Sequence, residues 1–132
     1  MIAKEKVLVI DVDGTLCPIK GPSESYSDLP VHVEMRDRLR QLSGDGWRII
    51  LHSSRGMRTY DGNADEIMIN VFPVLESWLK RHQVPFDEIH LCKPWPGENG
   101  FYIDDRAVRP REFLENDFEE LEQLLVRDRM GC

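Results

Sequence analysis

The stretch VLVIDVDGTL, residues 7–16, decides how the rest of the chain is interpreted. Its first four residues form a short continuous apolar run rich in β-branched side chains, which is typical of a strand buried on both faces. Two aspartates, a glycine and a threonine follow almost at once. We expect a buried strand over Val7–Ile10 that delivers Asp11 and Asp13 to the carboxyl edge of a parallel sheet, where ligands bind in such folds.

Hydrophobic runs alternate with helix-like segments along the remainder of the chain. Three further runs predict strands, at Trp47–His52, Glu88–Cys92 and Gly100–Ile103. The intervening patterns predict helices at about Val31–Ser43, from Asn63 or Asp65 to about His82 with a kink or short break near Pro73, and over Arg111–Arg127 as one or two helices. This order predicts an α/β fold with a mostly parallel, helix-covered sheet.

Size and composition exclude several classes of protein. A chain of 132 residues with 41% hydrophobic and 31% charged residues predicts one domain, residues 1–132, and no coiled coil or disordered chain. No apolar run approaches the roughly 18 residues that span a bilayer, and the run after the first lysines is too short for a signal peptide. Three cysteines without CxxC spacing fit a reducing compartment, so we expect a cytoplasmic protein that does not bind membranes. The net charge of −7 disfavours broad binding to nucleic acid.

Polar residues follow all four predicted strands. They are Asp11, Asp13 and Thr15, with Gly14 among them, then Ser53, Ser54 and Arg55, then Lys93, and finally Asp104 and Asp105. Each group alone has an ordinary explanation as a turn, a cap or a solvated charge, but together they would converge at one sheet edge. Clustered carboxylates need a cation, and their hard oxygens suit Mg²⁺, whereas the spacings of an EF-hand or a zinc site are absent. A lysine and a serine facing them suit a bound phosphoryl group.

The nucleophile follows by elimination. The chain lacks a C-x5-R loop of the tyrosine-phosphatase type and a GxxxxGK[ST] phosphate loop. An aspartate that attacks phosphorus and forms an aspartyl-phosphate remains. Asp11 comes directly off the strand and is the natural candidate, while Asp13, two residues on, can reach the leaving oxygen.

These residues resemble the motifs of a known superfamily. DVDGTL at 11–16, the strand ending at Ser53, Lys93, and FYIDD ending at Asp105 resemble motifs I to IV of the haloacid dehalogenase (HAD) superfamily of phosphotransferases. MRTYDGN at 57–63 and KPWPGENGFYIDDRAVRPREF at 93–113 are similar to small HAD phosphatases found with bacterial capsule and polysaccharide biosynthesis. The resemblance implies a three-layer, Rossmann-like core. Ser53 departs from it, because many members have threonine there.

The resemblance also implies a division of roles. Asp11 would be the nucleophile, and Asp13 would protonate the leaving alcohol and then deprotonate the hydrolytic water. Ser53 and Lys93 would hold the phosphoryl group, together with Gly14 and Ser54. Mg²⁺ would be bound by Asp11, by the backbone carbonyl of Asp13 and by Asp104. Asp105 would bind the metal directly or form a hydrogen bond to one of its ligands. The acid at position 13 points to a phosphoester with an alcohol leaving group.

Spacing leaves no room for the cap domain that many HAD enzymes carry. We expect the segment 17–30 to act as a mobile flap, with Tyr26 as a lid contact, or a second subunit to shield the open site. Substrate-contacting candidates on loops of the same face are Arg55, Arg58, Tyr60, Trp95, Arg106 and Arg109. Arg55 and Arg106 could instead neutralise nearby aspartates, and Trp47 and Trp78 are expected in the core.

The leading hypothesis is a Mg²⁺-dependent phosphomonoesterase that acts on a small sugar or polyol phosphate in capsule or polysaccharide precursor biosynthesis. A polynucleotide 3′-phosphatase is an alternative, because a capless site can accept a nucleic-acid end. The net charge and the lack of a basic stripe oppose it. A phosphate-metabolite-binding or scaffold protein with the same fold is the non-enzymatic alternative.

Overall fold

The computed structural model describes residues 2–131 and has a mixed α/β fold. Its strands are β1 (Val7–Ile10), β2 (Arg48–His52) and β3 (Glu88–His90). Its helices are α1 (Val33–Gly44), α2 (Ala64–Asn70), α3 (Phe72–Arg81), α4 (Pro110–Glu115) and α5 (Phe118–Asp128). One turn of 3₁₀-helix, Tyr26–Asp28, lies between β1 and α1.

The three strands form a parallel sheet in the order β1-β2-β3. Val9 pairs with Ile50, and Leu51 pairs with Ile89. Each parallel connection crosses over through helices, through α1 after β1 and through α2 and α3 after β2. The carboxyl ends of all three strands therefore lie at one edge of the sheet, as the sequence predicts for β1 and for the two strands that follow it.

The central strand and two helices supply eight of the buried hydrophobic side chains of the core. Ile49 and Leu51 of β2 are fully buried. Helix α1 buries Met35, Leu39 and Leu42, and helix α3 buries Leu75, Trp78 and Leu79, each set at helical spacing. The indole N–H of Trp78 donates to the Leu29 carbonyl at 2.8 Å, so this large ring is buried with its polar group satisfied.

The long helix expected after Asn63 is divided into two. Asn63 caps α2 as predicted, because its side-chain oxygen accepts from the Glu66 N–H at 3.1 Å. The helix ends at Asn70, and α3 begins at Phe72 with Pro73 in its first turn. Proline has no N–H to donate and is tolerated in a first turn, which explains why the break lies here.

The prediction of a strand at Gly100–Ile103 is wrong in this structure, which assigns no strand to these residues. Phe101, Tyr102 and Ile103 are 84%, 53% and 97% exposed. Apolar and aromatic composition favours a strand only where a neighbouring strand supplies hydrogen-bond partners and a surface to cover. The third strand also ends earlier than predicted, at His90, and Cys92 beyond it has a positive φ of 62°, outside the usual range of a strand residue.

The chain divides into two compact units at the boundary between Trp95 and Pro96. The N-terminal unit contains the sheet and helices α1 to α3. The C-terminal unit contains α4 and α5, and α5 begins with a capping box between Asp117 and Glu120. None of the helices among residues 2–131 has both the length and the apolar character that crossing a membrane requires.

Candidate active site

The loop after β1 holds Asp11 and Asp13 in a tight turn. Val12 and Leu16 are fully buried and anchor this turn in the core. Its backbone is closed by hydrogen bonds from the Leu16 N–H to the Val12 carbonyl and from the Gly14 N–H to the Cys17 carbonyl, both 2.8 Å long. Gly14 adopts a φ of +86°, a conformation that glycine tolerates far better than other residues. The alternation of buried and outward residues leaves both aspartates half-buried at the sheet edge.

The ends of β2 and β3 bring Ser53 and Lys93 to the same edge. The Ser53 N–H donates to the His90 carbonyl at 2.9 Å, and the Lys93 N–H donates to the Ser53 carbonyl at 3.1 Å. These bonds continue the parallel ladder past the strands. Lys93 Nζ lies 3.9 Å from Asp11 Oδ1, so the predicted lysine does reach the predicted nucleophile.

Asp11 lies in an environment that disfavours its charge. Burial raises the pKa of the Asp11 carboxyl, while the ammonium of Lys93 and a hydrogen bond from the backbone of Val12 lower it in part. Thr15 adds a weak hydrogen bond from its hydroxyl to Asp11 Oδ2, 3.3 Å long. A carboxylate that is partly desolvated and only partly compensated retains a demand for positive charge nearby, which a bound cation would meet.

Asp13 forms a bidentate ion pair with Arg55. The arginine Nε donates to Asp13 Oδ2 at 3.1 Å, and Nη2 donates to Oδ1 at 2.8 Å. The Arg55 side chain is 3% exposed, and its backbone N–H donates to the Ser53 hydroxyl at 3.0 Å. Arg55 therefore neutralises an aspartate, which is one of the two roles that the sequence predicts for it. It also fixes both carboxylate oxygens of Asp13.

The segment 17–30 covers this ion pair. The Tyr26 ring lies over the Arg55 guanidinium, with 4.1 Å between the guanidinium carbon and the ring centroid. The two ends of the segment are close together, because the His32 N–H donates to the Leu16 carbonyl at 2.7 Å. Cys17 and Leu29 near these ends are buried. The expected mobility of the segment stays a prediction.

The other predicted residues of the N-terminal unit lie around this centre in varied exposure. Ser53 is buried, Ser54 and Tyr60 are half-buried, and Arg58 and Trp95 are exposed. Tyr60 lines a cavity together with Tyr26 and Arg55. The structure thus brings Asp11, Asp13, Ser53, Arg55 and Lys93 together at one edge.

The remaining predicted residues belong to the C-terminal unit. Asp104 and Asp105 line a cavity of about 50 Å³ there. Asp104 Oδ1 accepts from the Arg106 N–H at 2.7 Å, and this bond is the main cause that lowers the pKa of its carboxyl. Arg109 precedes α4, and its backbone N–H donates to Glu112 at 2.8 Å.

The donor chemistry of the first loop suits a hard cation, although the described residues do not form a complete metal cage. Among residues 2–131, no group of three or more histidine, cysteine, aspartate or glutamate side chains is arranged to hold a metal ion. Asp11 supplies a partly desolvated carboxylate, and the backbone turn at Asp13 supplies carbonyl oxygen. These are the ligands that Mg²⁺ prefers, with water and phosphate oxygens commonly completing its shell.

Two features of the site are not predicted by the sequence. The first is that Cys17 lies beside the Asp13–Arg55 pair, with its thiol sulfur 3.6 Å from Asp13 Oδ1 and 3.8 Å from Arg55 Nη2. The left-handed backbone of Cys92, immediately before Lys93, is the second. A cysteine has no strong preference for that conformation, so no composition signal marks it.

Comparison with known proteins gives one informative result. No family model matches the chain, and no curated protein matches it. A crystal structure of a structural-genomics target protein from Vibrio cholerae is similar, with 42% sequence identity and a TM-score of 0.87. The similarity covers 94% of this chain and 99% of that one. At this identity and coverage, the chain belongs to the same family as that Vibrio cholerae protein.

Proposed function

We propose that this protein is a Mg²⁺-dependent phosphomonoesterase of the HAD type that acts through an aspartyl-phosphate on a small sugar or polyol phosphate. The observation that carries the proposal is the convergence at one sheet edge of Asp11, Asp13, Ser53 and Lys93. Lys93 reaches Asp11 at 3.9 Å, and Arg55 holds Asp13 by two hydrogen bonds. The motif resemblance suggests capsule or polysaccharide precursor biosynthesis as the setting.

The chemistry proceeds in two displacements. A carboxylate oxygen of Asp11 attacks phosphorus, the bond from phosphorus to the alkoxyl oxygen breaks, and Asp13 gives its proton to the leaving alcohol. Water then attacks the phosphorus of the aspartyl-phosphate and gives a proton to Asp13, and the bond from phosphorus to Asp11 breaks. Inorganic phosphate leaves, and both aspartates return to their starting states.

Lys93 and Ser53 stabilise the transferred group. The ammonium of Lys93 is near enough to Asp11 to contact a phosphoryl oxygen bound there. Ser53 Oγ accepts from the Arg55 N–H, which fixes the hydroxyl and leaves its proton to donate.

Mg²⁺ would be held by Asp11 and the Asp13 carbonyl, and a contribution from Asp104 and Asp105 is implied by the motif resemblance alone and stays a prediction. When bound, it neutralises charge on the phosphoryl oxygens during transfer. Arg58, Trp95, Arg106 and Arg109 remain proposed contacts for the rest of the substrate.

The proposal is tested with a generic aryl phosphate as the probe. Purified protein should release phosphate with Mg²⁺ and stop when the metal is chelated. Asp11→Asn should lower turnover by at least about a thousandfold while the circular dichroism spectrum is unchanged. Asp37→Asn, which changes an exposed aspartate on α1, is the matched control and should retain full turnover. Undiminished turnover in Asp11→Asn would remove Asp11 as the nucleophile.

A further inference from the structure

One face of the parallel sheet is left uncovered in the N-terminal unit. Along β2, Ile49 and Leu51 are fully buried, whereas Ile50 between them is only half-buried. Val9 pairs with Ile50 and therefore lies on the same face of the sheet, where it is 63% exposed. Parallel sheets normally bury both of their faces. The face that carries Val9 and Ile50 is therefore an apolar surface that still requires cover.

The outer edge of β1 is uncovered as well. The order β1-β2-β3 pairs β1 with β2 on one side, and among residues 2–131 no strand pairs with its other side. An open edge of this kind presents backbone N–H and C=O groups that a further strand can pair with. The N-terminal unit thus has an open edge beside an open apolar face.

The C-terminal unit carries apolar residues that match this edge. Its buried hydrophobic residues, within the part of the chain that the structure describes, are Phe113 and Leu121. Phe101 and Ile103 are 84% and 97% exposed in the same unit. The unit is also shorter than the roughly 40 residues below which a chain rarely folds without help. It therefore requires another surface to pack on, and its exposed residues are of the types that pair in strands.

We propose that two copies of this chain exchange their C-terminal units, so that the segment 100–103 of each copy adds a strand to β1 of the other. The exchanged unit would also cover the face around Val9. Every copy carries both surfaces, and both stay exposed in the single chain, so a second copy is the partner that covers the two at once. A two-fold dimer forms this contact twice, which doubles the apolar area that it buries.

Parallel addition would bring acidic side chains of one copy to the proposed site of the other. Gly100–Ile103 is as long as Val7–Ile10, and each is followed directly by an aspartate, Asp104 or Asp11. Aligned in parallel, like the other strand pairs of this sheet, the two aspartates lie level at the carboxyl edge. The site proposed above requires further carboxylates beside Asp11, and within residues 2–131 of one chain no three such side chains lie together. In this one respect the inference rests on the proposed function, and it assigns Asp104 and Asp105 to the site of the second copy.

The molar mass in solution is the first test. Light scattering on the purified full chain should give the mass of two chains at micromolar concentration. Ile103→Lys adds a charge at a position that is 97% exposed in the single chain, so it should reduce the mass to one chain without changing the circular dichroism spectrum. Val9→Lys on the opposite surface should do the same. Ile69→Lys, at a 71% exposed position on α2, is the matched control and should stay dimeric. A wild type with the mass of one chain, or a dimer that withstands either Ile103→Lys or Val9→Lys, would overturn the exchange.

A mixed dimer tests whether the exchanged unit reaches the other site. Asp11→Asn and Asp104→Asn should each lack aryl phosphate turnover when expressed alone. When the two variants are co-expressed with different tags, exchange leaves one intact site, with Asp11 from one chain and Asp104 from the other. The isolated mixed dimer should therefore show about half of the wild-type turnover. Without exchange, every site carries one substitution and no turnover returns. The control is a dimer of two differently tagged Asp11→Asn chains, which should stay inactive.

The two measurements separate the exchange from the proposed function. An inactive mixed dimer would overturn the shared site, and so would full turnover of Asp104→Asn by itself. Failure of the proposed function would appear instead as a wild type that hydrolyses no ester or as turnover that survives Asp11→Asn. The molar masses of the wild type, Ile103→Lys and Val9→Lys would still decide the exchange in that case.

Discussion

Arg55 joins three parts of the N-terminal unit through one side chain. It forms two hydrogen bonds to Asp13, lies under the Tyr26 ring, and places Nη2 3.8 Å from the Cys17 sulfur. The loop after β1, the loop after β2 and the segment 17–30 are thereby fixed to one another. A planar group with several donors is needed for this, and lysine cannot supply it.

Arg55→Lys should therefore damage catalysis although it conserves charge. We expect kcat on an aryl phosphate to fall at least about tenfold, because a single ammonium cannot hold both oxygens of Asp13. Arg38→Lys, at a half-buried arginine of α1 that donates to Gln41, is the control and should leave kcat unchanged. Equal kcat for Arg55→Lys and wild type would show that the orientation of Asp13 does not depend on the bidentate pair.

Glycine is required at position 56, next to Arg55, by the local backbone conformation and by the neighbouring side chains. It adopts a φ of +88°, and a Cβ built there would lie 2.7 Å from Val71 Cγ2. Gly56→Ala should lower the free energy of unfolding by about 1–3 kcal/mol, measured by urea denaturation. Gly44→Ala, at the last residue of α1 with open space around it, should be neutral or slightly stabilising.

Sequence could predict the aspartates of the site but not the ion pair that fixes one of them. Asp11 and Asp13 follow an apolar strand directly, so their position is a local consequence of the pattern. Asp13 and Arg55 are 42 residues apart, and only the packing of two loops brings them together. The sequence predicts Arg55 as a substrate contact or as a neutralising charge, and the structure shows the second of these.

Helix α1 begins with an unusual cap. His32 Nδ1 accepts from the Met35 N–H at 3.2 Å, in the place where aspartate, asparagine, serine or threonine is usual. The same residue donates its backbone N–H to Leu16, which closes the segment 17–30. The start of α1 thus also determines where that segment ends.

His32→Asp should strengthen this cap without changing the backbone bond. A carboxylate accepts better than an imidazole nitrogen and interacts favourably with the helix dipole, so we expect a gain of about 0.5–1 kcal/mol in the free energy of unfolding.

Asp117→Ala at the start of α5 tests the opposite change, the loss of a capping carboxylate. It removes a carboxylate that accepts from Glu120 at 2.8 Å and should cost about 1 kcal/mol.

At the scale of elements, sequence prediction succeeded where the signal was local. Pro73 predicted the break between α2 and α3, and Asn63 predicted the start of α2. Gly100–Ile103 failed because strand formation depends on a partner that its own four residues do not encode. The parallel order of the three observed strands followed from their alternation with helices.

The whole molecule should lose stability on mild acidification. Burial lowers the pKa of His82, and the charges of Arg81 and Arg36 lower it further, while the ring packs against Trp78 at 4.7 Å. Burial, Lys93 and His90 lower the pKa of His52 in the same direction. In the unfolded chain the two histidines bind protons near the ordinary pKa of 6.5, whereas in the folded protein they bind protons only at lower pH. Their contribution to the free energy of unfolding is therefore complete above pH 6.5 and is lost as the pH falls below it.

Thermal melts between about pH 7.5 and about pH 5.5 measure this effect. The wild type should melt at a lower temperature at the acidic end, and His82→Gln should show a smaller decline over the same interval. An identical decline in the two proteins would assign the acid sensitivity to groups other than His82.

The place of Cys17 has a consequence for oxidative damage. Its side chain is 3% exposed, and burial, aided by the negative charge of Asp13, raises the pKa of the thiol to about 12. The thiolate is the form that attacks peroxide and alkylating reagents, and the raised pKa suppresses its formation at physiological pH. A cysteine four residues from one proposed catalytic aspartate therefore stays reduced, and the folded protein should withstand peroxide exposure without modification at this residue.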